Sequence, residues 1–246
     1  MTSNVRLLSA VLVALSIAGC GKSSDTNTTP TTPTTPTTPT TPTQTNRAPV
    51  IGGVTVSPGF AVSGLTSVTM NASASDADGD PLTYPWSFGG PSVTGASASA
   101  KLAGDGAVAV QVIVSDGKGG TASDSRTVTV GTMTGSWDFA VLATCGVDPR
   151  EKPAVFTLTQ TGGTVTGSLA FPGNFCNINP GTHSEIPAST PGSIDDQGNF
   201  ALPRVAAGSF LDIRLANGKM DSTGRKVIGQ VFNSGFVGET FTLTKK

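Results

Sequence analysis

Between Gly106 and Ser115 the chain reads GAVAVQVIVS, so that Val108, Val110, Val112 and Val114 recur at every second position. A two-residue period puts all four valines on one face of an extended strand, whereas on a helix they would scatter around the axis. Similar short runs, VIGGVTVSP, TSVTMNASA, PLTYPWSF, ASASAKL and TASDSRTVTV, recur at intervals of roughly ten residues and are separated by turn-forming Gly, Pro, Asp and Asn. No stretch carries a helical or heptad repeat. The pattern predicts an all-β protein, and 31 glycines and 17 prolines are the composition expected of many tight turns. With 15 basic against 16 acidic residues the formal charge is −1, which provides no electrostatic footprint for nucleic acid and no polybasic membrane patch.

The two ends of the first 46 residues have a different character. Arg6 precedes an apolar run of 11 residues from Leu7 to Ile17, too short to span a bilayer and followed by small residues, as in a secretory signal. The run closes on Ile17-Ala18-Gly19-Cys20, which resembles the lipobox of bacterial lipoproteins. That resemblance implies a signal peptide over residues 1–19 and a Cys20 carrying diacylglycerol and an amide-linked acyl chain such as palmitate. It also implies an extracytoplasmic, lipid-anchored protein, at the outer membrane in a diderm host, where Gly21 follows the cysteine. Five TTP repeats from Thr28 to Pro42 then lie within a polar segment of 26 residues, Gly21 to Asn46. Proline at every third position excludes helix and sheet, so residues 20–46 read as an unstructured linker with a reach of about 80 Å when extended.

Residues 47–131 form the first expected domain, an antiparallel sandwich with Trp86 and Phe88 on the core face of one strand. RAPVI, ASDADGDPLTYPWSFGG and VIVSDGKGGTASDSRTVTV in this segment resemble polycystic kidney disease (PKD) repeats and the related cadherin-like bacterial surface modules. The resemblance implies an immunoglobulin-like sandwich serving as a spacer or as an adhesive or carbohydrate-contacting module. The PKD hallmark WDFGDG stands here as WSFGG, without either aspartate. Asp76, Asp78 and Asp80 alternate, and Asp116 begins another turn, so these four carboxylates are expected at one pole. Three readings stay open: a turn only, a structural calcium site, or a catalytic dyad. An EF-hand is excluded, because Gly79 stands fourth in the run and no glutamate occupies the twelfth place.

A second expected domain, residues 132–246, begins with GSWDFAV. Phe156 and Leu158 alternate with threonines, Gly162-Gly163 forms a two-residue turn, and Val165, Leu169 and Phe171 return, which is a hairpin signature. GSIDDQGNFAL, GSFLDIRLANGKMD, RKVIGQVF and GETFTLTKK continue it, and about eight hairpin-linked strands predict a small up-and-down β-barrel. GSWDF and the strand rhythm resemble lipocalin-like domains, which implies a small apolar ligand inside the barrel. A barrel of this size can equally be filled with its own side chains.

With Cys20 lipidated, Cys145 and Cys176 remain as an even pair in an exported chain and are expected to form a disulfide. Enzyme chemistry finds no support. His183 is the one histidine and is expected in a polar loop, no nucleophile elbow accompanies it, and zinc would need more ligands. Asp195 and Asp196 are adjacent, would point to opposite faces of a strand, and read as hairpin-turn residues. The sequence therefore predicts a non-enzymatic, lipid-anchored envelope protein displaying binding or adhesion modules. Its expected partners are the membrane and a glycan, protein or small apolar ligand, with no cofactor beyond calcium. A carrier of a small apolar molecule and a purely structural spacer are the alternatives.

Overall fold

The computed structural model describes residues 44–141, 154–173, 180–207, 211–232 and 237–246. The lipobox, the TTP repeats, Cys20, Cys145 and Cys176 lie outside these described residues. Among the described residues every regular element is a strand.

The first half builds two facing sheets. One holds β1 (Val50–Ser57), β3 (Ser67–Ser75) and β6 (Ser97–Lys101) in the order β1-β3-β6. The other holds β2 (Phe60–Val62), β4 (Pro85–Ser87), β5 (Val93–Thr94), β7 (Gly106–Ser115) and β8 (Thr121–Gly131) in the order β2-β8-β7-β4-β5. All pairings are antiparallel except the short β2 against β8. The valine strand is central, as its periodicity requires: Val110, Val112 and Val114 are fully buried, and Val108 packs against the same core. Trp86 and Phe88 join them, and the Trp86 indole N–H donates to Gly95 O at 2.9 Å, so the polar edge of a buried ring is satisfied.

The second half closes on itself. β9 (Gly135–Val141), β10 (Ala154–Thr161), β11 (Thr164–Ala170), β13 (Gly192–Ile194), β14 (Asn199–Ala207), β15 (Leu211–Met220), β16 (Lys226–Phe232) and β17 (Val237–Lys245) pair in chain order, and β17 returns to β9 through Phe241↔Val141 to Lys245↔Trp137. The result is a closed up-and-down barrel of eight antiparallel strands. β12 (His183–Glu185) adds to it, pairing with β11 over Ser168–Ala170 while β13 pairs with the other end of β11. His183 therefore stands on a short exposed strand and not in a loop. The chain of β11 can serve both partners because β12 and β13 occupy successive lengths of it.

Side-chain alternation decides what faces in. Trp137, Phe139, Phe156, Leu158, Val165, Leu169, Phe200, Leu215, Phe241 and Leu243 are buried and belong to one continuous core, with Phe139 and Phe156 meeting edge to face at a centroid distance of 5.6 Å. The positions between them on β10 and β11, Thr157, Thr159, Thr161, Thr164 and Thr166, are exposed. A lipid-facing barrel presents an apolar band outward, and the exposed positions of β10 and β11 carry hydroxyls instead. The Gly162-Gly163 hairpin forms as its sequence indicates, with Thr161 paired to Thr164 and Gly162 at φ +57°.

Sandwich and barrel lie in one compact unit, Gln44–Lys246. Val62, from the sandwich strand β2, is fully buried in the barrel core, and Phe60 and Leu65 pack against that core. Gln160 clasps the seam: its Oε1 accepts from Met133 N (2.9 Å) and Thr132 Oγ1 (3.1 Å), and its Nε2 donates to Ser63 O (3.1 Å). Lys245, 5% exposed at its side chain, reaches Asp105 Oδ2 at 2.7 Å and lies over the Trp137 ring. At the same seam a Cβ on Gly224 would stand 2.6 Å from Gly131 Cα, so two backbones meet where only glycines fit. The Gly131–Gly135 stretch is thus a packed joint.

Candidate functional site

Among the described residues four turns share one sequence form, Asp-x-x-Gly-x: Asp76–Asp80, Asp116–Gly120, Asp195–Asn199 and Asp221–Arg225. In each the leading aspartate turns its Oδ1 back onto the loop and accepts the amide N–H groups two and four residues ahead. For Asp76 these are Asp78 N (2.8 Å) and Asp80 N (3.3 Å), and for Asp116 they are Lys118 N (2.7 Å) and Gly120 N (3.0 Å). Asp195 takes Gln197 N and Asn199 N, and Asp221 takes Thr223 N and Arg225 N. The glycines, Gly79, Gly119, Gly198 and Gly224, all lie at positive φ, which L-residues with a Cβ resist. The sequence alone therefore builds the turn, using one carboxylate oxygen and one glycine. What happens to the second oxygen depends on where the turn sits.

The first two turns sit together at one pole of the sandwich, after β3 and after β7. Oxygens of Asp76, Asp80 and Asp116 lie within 4.8 Å of one another. Asp116 is buried, and its Oδ2 accepts from Asn46 Nδ2 at 2.8 Å. The Asn46 amide, followed by the Lys118 and Gly120 N–H groups, holds the Asp116 carboxyl below the ordinary carboxylate value against the opposing effect of burial. Asp80 has a side chain only 8% exposed; its Oδ1 meets Lys118 Nζ at 2.5 Å. That contact raises the lysine above its ordinary value, with the charges of Asp78 and Asp116 adding to it. Oδ2 of Asp80 and Oδ2 of Asp76 are out of solvent and have no hydrogen-bond partner.

Asp78, expected with the other three, is turned away from them. Arg47 N donates to its Oδ2 at 2.7 Å and Gln44 Nε2 to its Oδ1 at 2.8 Å, and these two donors in that order lower its pKa. Both of its oxygens are spent on the incoming chain. Sequence reasoning assigned Gln44 and Asn46 to the linker and so missed them as part of the pole. A signal was present in Gly120, where a Cβ would stand 2.1 Å from Asp116 Oδ2 and 2.8 Å from Ala48 Cα. Glycine at that place lets the chain around Ala48 cross the aspartate turn.

The barrel turns are different. Asp195 Oδ2 accepts from Asn199 Nδ2 at 2.7 Å, and Asp221 Oδ1 also accepts from Thr223 Oγ1 at 2.8 Å. Burial opposes ionisation of both, yet these side-chain donors and the loop amides outweigh it and lower both pKa values. Asp195 and Asp196 stand in the β13–β14 turn, and Asp196 O accepts from Thr66 Oγ1 across the seam. A surface groove of about 470 Å³ runs beside this turn, lined by Asp195, Asn199, Phe200, Asn217 and Lys219 among others. Its charged groups are engaged within the wall, Lys219 Nζ with Gln197 O and Asn199 Oδ1. His183 Nε2 meets Glu185 Oε1 at 2.8 Å, both exposed on β12.

The fold defines the class: an immunoglobulin-like sandwich joined to a closed eight-stranded barrel. Residues 46–130 match the family model of the PKD domain. No curated protein matches this chain. Among solved structures, one of carbohydrate-binding modules from the β-sandwich superfamily, described as the structural basis for their promiscuous specificity, is similar at 23% identity and a TM-score of 0.34. That likeness covers 51% of this chain and 59% of the other, so this chain spans somewhat over half the length of that neighbour.

Proposed function

We propose that this protein is a lipid-anchored component of a bacterial cell envelope that holds a rigid, non-enzymatic binding or adhesion head away from the membrane. The anchor is Cys20, at the outer membrane in a diderm host, and the spacer is the TTP-rich linker. The observation that carries the reading is the weld between sandwich and barrel, with Val62 buried in the barrel core and Gln160 bonded across the seam. Two domains fused in this way present one fixed surface at the end of a long tether, which suits contact with an extended partner. The outward hydroxyls of β10 and β11 fit a glycan or protein surface, which a polar face can meet through hydrogen bonds. In the oxidising compartment this implies, Cys145 and Cys176 pair.

The continuous Phe, Leu and Val core of the barrel supports a solid scaffold over a carrier of small apolar molecules. Fractionation of expressing cells tests the anchor: the wild-type chain stays with membranes and takes up labelled palmitate, and Cys20→Ala does neither. Retention and labelling of Cys20→Ala would overturn it. Binding of the purified chain to arrayed glycans and envelope proteins tests the head, and absence of any saturable partner would leave a spacer as its role.

A further inference from the structure

The aspartate pole contains a charge arrangement that the turns do not require. A carboxylate used only to close an Asp-x-x-Gly turn satisfies its second oxygen locally or in water, as Asp195 does through Asn199. Asp76 Oδ2 and Asp80 Oδ2 are withdrawn from water and have nothing to bond. A buried acceptor without a donor is costly, and a charged one more so. Three carboxylates within 4.8 Å also repel one another, and Lys118 provides only one compensating charge. Carboxylates that lie this close together and keep buried oxygens without donors are the complement of a hard cation.

We propose that Asp76, Asp80 and Asp116 bind one calcium ion, and that Lys118 is the counter-ion that holds the place when calcium is absent. Two oxygens on one ion stand no further apart than twice the metal–oxygen distance, about 4.6–5.2 Å for calcium, which accommodates the observed spread. Lys118 is 61% exposed and reaches Asp80 from the solvent side, so it can withdraw without disturbing the core. Asp78 is outside the site because Arg47 and Gln44 already hold it. Asn46, bonded to Asp116 Oδ2, and Gln44 make the start of the folded unit part of the same pole, so the ion also fastens the point where the linker enters the head.

The test uses isosteric variants of the full chain. Asp76→Asn keeps an Oδ1 acceptor for Asp78 N and Asp80 N while replacing the orphaned Oδ2 with an amide, so the turn survives and the site does not. Calorimetric titration with CaCl2 is expected to show one saturable site per wild-type chain. Its affinity should fall about tenfold or more in Asp76→Asn and in Asp80→Asn, since loss of ligand charge weakens calcium sites, and be unchanged in Asp221→Asn. Lys118→Met is expected to bind calcium more tightly while melting at a lower temperature in excess chelator. Thermal melts should show calcium raising the wild-type transition by a few degrees and leaving that of Asp76→Asn unmoved. No saturable heat with the wild type, or equal affinity in Asp76→Asn and Asp80→Asn, would overturn the proposal.

Discussion

The two Asp-x-x-Gly turns of the sandwich pole and the two of the barrel begin from the same local chemistry and reach opposite states. All four spend Oδ1 on the amides two and four residues ahead. In the barrel the turns are separate, their aspartates take further donors from their own loops, and Gly224 is pressed against the sandwich. At the sandwich pole two turns are brought face to face, and second oxygens of Asp76 and Asp80 are left without donors. A turn motif therefore predicts a backbone path, and only its surroundings decide whether it becomes a sealed corner or an anionic pocket.

The sharpest test of that contrast substitutes the turn glycines. Gly224→Ala is expected to destabilise by about 3–5 kcal/mol, because the positive φ resists a Cβ and the new methyl would overlap Gly131. Gly79→Ala places its Cβ in open space at φ +76° and should cost only about 1 kcal/mol. Urea denaturation of both variants measures the difference, and equal costs would show that the barrel corner is no more sealed than the pole.

Loss of the seam ranks between these two. Gln160→Ala removes the acceptor of Met133 N and the donor to Ser63 O, for an expected cost of about 2–3 kcal/mol. Sandwich and barrel should also cease to unfold together, which differential scanning calorimetry would register as a broadened or divided transition. A sharp, unshifted melt would argue that burial of Val62 alone maintains the joint.

The smallest effects come from protonation. Asp195 and Asp221 are held below the ordinary carboxylate value in the folded state, so their stabilisation is complete above that value and disappears as pH falls through the lowered one. Stability is expected to decline from about pH 5 downward. Asp195→Asn/Asp221→Asn, which keeps the Oδ1 acceptors, should make that decline shallower and leave the part that Asp78 and Asp116 contribute at the sandwich pole. Acid melts between pH 6 and pH 3 that superimpose on the wild type would break the link between turn chemistry and acid sensitivity.

Much of this was readable in the sequence because strand period and turn chemistry are local. Val110, Val112 and Val114 alternate into the sandwich core, and Phe241 and Leu243 alternate into the barrel, as their spacing requires. Gly162-Gly163 turns its hairpin where the two glycines stand, with Thr161 paired to Thr164. The departures involve partners distant in the chain. His183 sits on a strand because β11 offers an unpaired edge to it, Asp78 leaves the cluster because Arg47 and Gln44 reach it first, and Val62 belongs to the barrel core although its strand is part of the sandwich.

Taken alone, the order of residues determined an all-β chain, the places where it turns, and which oxygen and which glycine close each corner, since these follow from backbone sterics and contacts within five residues. The tertiary structure decided how the barrel and sandwich join and which carboxylate oxygens remain without a donor. Those outcomes depend on what lies opposite in space, and Asp76 and Asp116 are forty residues apart in the chain before folding sets them side by side.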